Sequence, residues 1–157
     1  MLARYILFLF SGLLLTFQAL ASTVLIPMDD SQKDHLKSYG AAYWVLTNNV
    51  TVDWLLNYRG GSFAFQHAPQ LENELVVRGI SYTVISDAQY NMILTQISDP
   101  DANMDVMKLE KVPKIAVYTP KSKMPWDDAV TLVLTYAEIP YDKVYDEEIM
   151  RGDLDRK

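Results

Sequence analysis

What most constrains this chain is a repeated alternation of short apolar runs with helical patterns. Gly79-Ile80-Ser81-Tyr82 to Asp87 and Glu138-Ile139-Pro140-Tyr141 to Asp146 echo each other: each leaves an apolar helix, enters a short strand and meets an acidic helix start. That is the rhythm of βαβ units, which close by right-handed crossovers onto a mainly parallel sheet with helices on both faces. The expected fold class is therefore α/β, doubly wound and flavodoxin-like. Thr23 to Met28 reads as the first strand, followed by a helix through Leu36, Tyr39, Tyr43 and Leu46. Val50 to Leu56 reads as a buried strand and Arg59 to Ser62 as a loop. Pro69 opens a helix that stops at Gly79, and Ile80 to Ser86 is the next strand. Asp87 begins a helix carrying Met92, Ile93 and Ile97; after a polar connection, Lys114 to Thr119 forms a strand before the helix Ala129 to Ala137. Gly40, inside the first helix, costs about 1 kcal/mol relative to alanine and so points to close packing against a neighbour. Beyond Tyr141 a strand and a short acidic helix lack a closing element, so the domain is expected to be incomplete at its C-terminus.

The N-terminus carries a second message. Met1 to Arg4 form a basic start, Tyr5 to Leu15 are almost all apolar, and Ala19-Leu20-Ala21 offers the small residues a signal peptidase accepts before Ser22. The apolar run is shorter than the roughly 20 residues a bilayer requires. Residues 1–21 are thus read as a signal peptide and 22–157 as a single α/β domain. The expected product is exported, periplasmic or extracellular, and soluble, with no stable membrane insertion after cleavage. The chain has 20 acidic against 14 basic residues, a balance that argues against nucleic acid as a partner. It contains no cysteine, which excludes a thiol nucleophile, a thiolate metal site and disulfides.

Ligands of open parallel sheets gather at the carboxyl ends of strands, and two segments stand at such ends. In the first, Arg59, Gly60, Gly61 and Ser62 follow the strand ending at Leu56. Paired glycines let backbone N–H groups converge on an anion, and an arginine adds bidentate contact to a carboxylate or phosphate. The alternative is a tight turn whose arginine pairs with a surface acid. In the second, Trp126 offers a flat stacking surface, and Asp127 stands at a helix start where it also complements the dipole. His35, near Asp29, Asp30 and Asp34, and His67, near Ser62, stand in no metal-ligand or hydrolase motif, so no metal and no cofactor is implied and catalytic residues stay unassigned.

Three stretches carry a family likeness: MDDSQKDHLKSYG (Met28 to Gly40), VDWLLNYRGGSF (Val52 to Phe63) and PWDDAVTLVLTYAEIPYDKVYDEE (Pro125 to Glu148). Together they resemble the N-terminal part of exported bacterial proteins commonly labelled asparagine synthetase B, whose sheet is similar to class I glutamine amidotransferase-like domains. The resemblance implies export and an amidotransferase-like fold. The chain departs from the label's chemistry, because the cysteine nucleophile of glutamine hydrolysis and the serine- and glycine-rich pyrophosphate loop are both missing. The functional expectation is a non-catalytic domain that binds a small polar or anionic ligand, or a partner such as a missing C-terminal portion. The alternative is part of an amide-forming or glutamine-hydrolysing enzyme whose decisive residues lie beyond Lys157.

Overall fold

The computed structural model describes residues 22–119 and 128–152; residues 1–21, read as a signal peptide, together with Trp126, Asp127 and the last five residues, lie outside that range. Its elements are β1 (Ser22–Ile26), α1 (His35–Thr47), β2 (Val52–Leu56), β3 (Ser62–Gln66), α2 (Pro69–Arg78), β4 (Thr83–Ser86) and α3 (Asp87–Ile97). They are followed by β5 (Asp105–Leu109), β6 (Ala116–Tyr118), α4 (Ala129–Tyr136), β7 (Asp142–Val144) and α5 (Asp146–Arg151). Local chemistry starts the helices. Asp34 caps α1 through Lys37 N, Ser86 and Gln89 form a reciprocal capping box on α3, and Asp128 caps α4 through Val130 N and Thr131 N.

Five strands form one sheet in the order β4-β1-β3-β2-β5, and every neighbouring pair is antiparallel. This corrects the expected mainly parallel, flavodoxin-like and amidotransferase-like sheet. The physical reason lies in two strands that the rhythm does not show. After Leu56 the chain reverses at once: Asn57, Arg59, Gly60 and Gly61 all have positive φ, at 61°, 46°, 82° and 95°. Ser62 to Gln66 then runs back along β2, with Trp54 opposite Phe63, and also pairs with β1, with Val24 opposite Phe65. So α1 joins two strands that point the same way but are held apart by β3, and α2 likewise carries the chain from β3 across β1 to β4. The result is the interleaved β-α-β-β-α-β order called ferredoxin-like. The second unforeseen strand, β5, lies in the stretch read as a polar connection and extends the sheet beside β2, with Asp53 opposite Lys108. Among the described residues, parallel pairing is confined to β6 and β7, joined through α4.

Strand alternation divides the core. Val24, Ile26, Val52, Phe63 and Phe65 face Ala41, Val45, Leu71 and Leu75 of α1 and α2. Leu25, Leu55, Ala64 and Ile85 face Ile93, Leu94 and Ile97 of α3. A single helix about 10 Å across cannot cover five strands spaced about 4.8 Å apart, so among the described residues the sheet face beneath α3 is open on both flanks. The C-terminal β6-α4-β7 unit docks on the other side. At Gly40 of α1 an added Cβ would sit 1.7 Å from the Ala137 carbonyl oxygen, so only glycine admits the end of α4 here. Tyr136 donates its hydroxyl to Asp34 Oδ2 at 2.6 Å, and Arg78 Nη1 lies 3.1 Å from Glu138 Oε2. Among the described residues no helix is long and apolar enough to cross a membrane.

Candidate functional site

Arg59, Gly60, Gly61 and Ser62 are brought together as the β2–β3 turn, which clasps the loop between β1 and α1. Arg59 Nε donates to Asp29 Oδ2 at 2.6 Å, and Nη2 donates to Asp29 Oδ1 at 3.2 Å and to Ser31 Oγ at 3.0 Å. The anion in this fork is the chain's own Asp29, whose carboxyl the Arg59 and Ser31 hydrogen bonds hold well below the usual carboxylate range. Met28 N donates to the Arg59 carbonyl at 3.0 Å, and a Cβ on Gly60 would sit 2.3 Å from the Met28 carbonyl oxygen. Ser62 is fully buried, and its hydroxyl donates to the Tyr58 carbonyl at 3.0 Å. Ser62 opens β3 and His67 follows its last residue, on the order of 15 Å apart at the usual rise per strand residue, so they form no nucleophile and base pair. His67 instead meets Glu72 Oε2 at 2.7 Å, and His35 Nε2 lies 3.2 Å from the carbonyl oxygens of both Met28 and Asp29. Among the described residues no three acidic or histidine side chains converge as a metal site.

The open face beneath α3 places a different set of groups together. Alternation along β2 turns Val52 and Trp54 toward α1 and α2, and therefore Asp53 and Leu55 toward α3. The register then lines up Leu25, Ala64, Asp53 and Lys108 across β1, β3, β2 and β5, an apolar row that finishes in a carboxylate and an ammonium. Tyr90, on α3, donates its hydroxyl to Asp53 Oδ2 at 2.6 Å, while Asp53 Oδ1 is buried with no hydrogen-bond partner. Burial, and then the Asp53 carboxylate, push the Tyr90 phenol far above its ordinary value, so it remains a donor at neutral pH. No ion pair joins Lys108 to Asp53 among the described residues, although the two are directly opposite in the ladder. Thr23, Gln66 and Asp87 complete the walls of a groove of about 370 Å³. That size falls within the ~300–1,000 Å³ of small-molecule sites.

A larger groove of about 680 Å³ lies at the C-terminal end of α3. Its polar groups are bonded locally: Asn57 Nδ2 to the Asn103 carbonyl at 2.8 Å, and Val106 N to Asp105 Oδ1 at 2.7 Å. The groove at Asp53 is the better candidate, because a half-buried carboxylate with an unused oxygen calls for an explanation that a self-satisfied surface does not. Sequence reasoning missed Asp53, Tyr90 and Lys108. The available signal was a lone acid inside the apolar strand Val52–Leu56; Lys108 gains meaning only once β5 is known to lie beside β2.

No family model matches the sequence, and neither curated proteins nor solved structures give a match. The groove's own chemistry is what bears on function.

Proposed function

We propose that this chain is an exported, non-catalytic binding module that holds a small polar ligand in the groove between α3 and the sheet. The observation that carries this reading is the Asp53 carboxylate, fixed by Tyr90 through one oxygen and unpaired at the other, on the wall of a groove that Lys108 also lines. An ionised carboxylate has about four acceptor positions, and here Tyr90 uses one of them. Leaving the rest unmet inside a fold is costly, and a ligand donor offsets that cost. The chain has no thiol, and both histidines are engaged elsewhere, which favours binding over covalent chemistry. The test is thermal unfolding of the full chain against a panel of small amines, acids and amides. At least one should raise the midpoint in the native protein and fail to do so in Asp53→Ala. Ammonia release from glutamine by the purified protein would instead favour amide hydrolysis and overturn the non-catalytic reading.

A second reading, docking onto further protein, is favoured by one observation. Helix α4 has the apolar sequence AVTLVLTY, yet among the described residues Val130 is 56 % and Leu132 59 % exposed, beside a parallel pair of two strands. Parallel strands ordinarily lie in sheets covered on both faces. Replacing Val130 and Leu132 with lysine should abolish concentration-dependent association of the chain in sedimentation and leave the unfolding midpoint unchanged. Unaltered association would retire this reading.

A further inference from the structure

We infer that the groove at Asp53 takes a free amino acid, a zwitterion whose ammonium group is met by Asp53 and whose carboxylate is met by Lys108. This rests on the reading of the groove as a ligand site and specifies what fills it. Three observations converge. Asp53 and Lys108 are cross-strand partners on the same sheet face, where side chains stand about 5 Å apart at Cβ, yet they form no ion pair with each other. Opposite charges at that spacing that leave each other unused match a ligand carrying the complementary pair a few atoms apart. Tyr90 already donates to one Asp53 oxygen and the other is buried without a partner, so the carboxylate on the groove wall keeps acceptor capacity that suits a donor-rich group, as an ammonium with three N–H bonds is. Thr23, Thr51 and Gln66 line the groove beside these charges with neutral groups, which offer hydrogen bonds but no charge to compete for the ligand's two ends. A purely anionic ligand would meet Asp53 and Asp87 as well as Lys108 and be repelled by two carboxylates. A purely cationic one would leave Lys108 unmatched beside it.

The experiment follows the thermal unfolding of the full chain with each common free L-amino acid at ~10 mM. Calorimetric titration then compares the strongest stabiliser with its N-acetyl and its carboxamide forms. The expected result is a raised midpoint with at least one free amino acid, and a loss of roughly tenfold or more in affinity when either end is blocked. Lys108→Gln, an exposed substitution, should weaken the free acid by roughly tenfold and leave the carboxamide form unaffected, a split that misfolding would not produce. Equal binding of the N-acetyl form, or an affinity for the free acid that ignores Lys108→Gln, would overturn the amino-acid assignment. Stabilisation by inorganic phosphate or another non-zwitterion, with none from any amino acid, would retire the assignment and keep the groove. Backbone amide shifts separate the two levels: a ligand that perturbs residues remote from Asp53, Tyr90 and Lys108, leaving those three unmoved, overturns the groove reading itself.

Discussion

Gly60 and Gly79 have similar backbone angles, φ of +82° and +72°, but different surroundings, and alanine should report the difference. At Gly79 nothing lies within 4 Å of an added Cβ, so Gly79→Ala should cost only the left-handed penalty of about 1–2 kcal/mol. At Gly60 the same Cβ also meets the Met28 carbonyl, adding overpacking of a further ~1–3 kcal/mol. Urea denaturation midpoints of the two variants check this ordering; equal losses would mean that the turn does not clasp the β1–α1 loop as described. The residue scale also shows what a single sequence can and cannot reveal. Arg59 and the paired glycines stand out because their chemistry is unusual at any position. That Arg59 bonds to Asp29 depends on a contact across 30 residues, which no local pattern encodes. Asp53 is the reverse case: unremarkable in a string of letters, and distinctive only once alternation and register show it turned inward beneath α3.

At the scale of elements, nearly every helix was legible, because caps and stop signals act locally: Pro69, Gly79, Asp87 and Asp128 each mark an end that the structure shares, whereas the Asp34 cap of α1 did not stand out among the acids before it. Two strands were not. β3 follows a turn of left-handed residues that reads equally well as a loop, and β5 is an edge strand whose mixed exposure blurs its alternation. Missing those two strands was enough to reverse the sheet's direction. Tyr90 is the hydrogen-bonded latch between α3 and β2, and Tyr90→Phe would leave both Asp53 oxygens without a donor. The expected cost is about 1–3 kcal/mol, with faster amide exchange in α3 than in α1. Unchanged stability would show that Asp53 is satisfied without Tyr90. Gly40→Ala tests a different joint. A methyl there cannot coexist with the Ala137 carbonyl, so the β6-α4-β7 unit should exchange faster while the five-stranded sheet keeps its protection. Uniform loss of protection would mean that the two parts unfold as one.

For the whole molecule, acid is the revealing variable. Asp29 and Glu72 are held below their ordinary carboxylate values chiefly by side-chain hydrogen bonds, from Arg59 and His67 respectively. Asp34 is lowered despite partial burial, which works the other way, by the Lys37 amide and the Tyr136 hydroxyl. Carboxyls lowered in the folded state bind fewer protons there than in the unfolded chain, so their stabilisation is present above the unfolded values and is lost as pH falls through the folded ones. The unfolding midpoint should therefore hold above about pH 5 and decline progressively toward about pH 2. A midpoint unchanged between those limits would show that these pairings contribute nothing. The interleaved strand order has a consequence in time as well as in space. Val24 pairs with Phe65 and with Val84, and β1 meets β2 only through β3, so no early stretch of chain can complete a sheet by itself. A ribosome delivering this polypeptide from its N-terminus must release more than half of it before β1 acquires both its neighbours, β3 and β4. Until then one edge of β1 stays unpaired in the nascent chain, open to any strand that reaches it first.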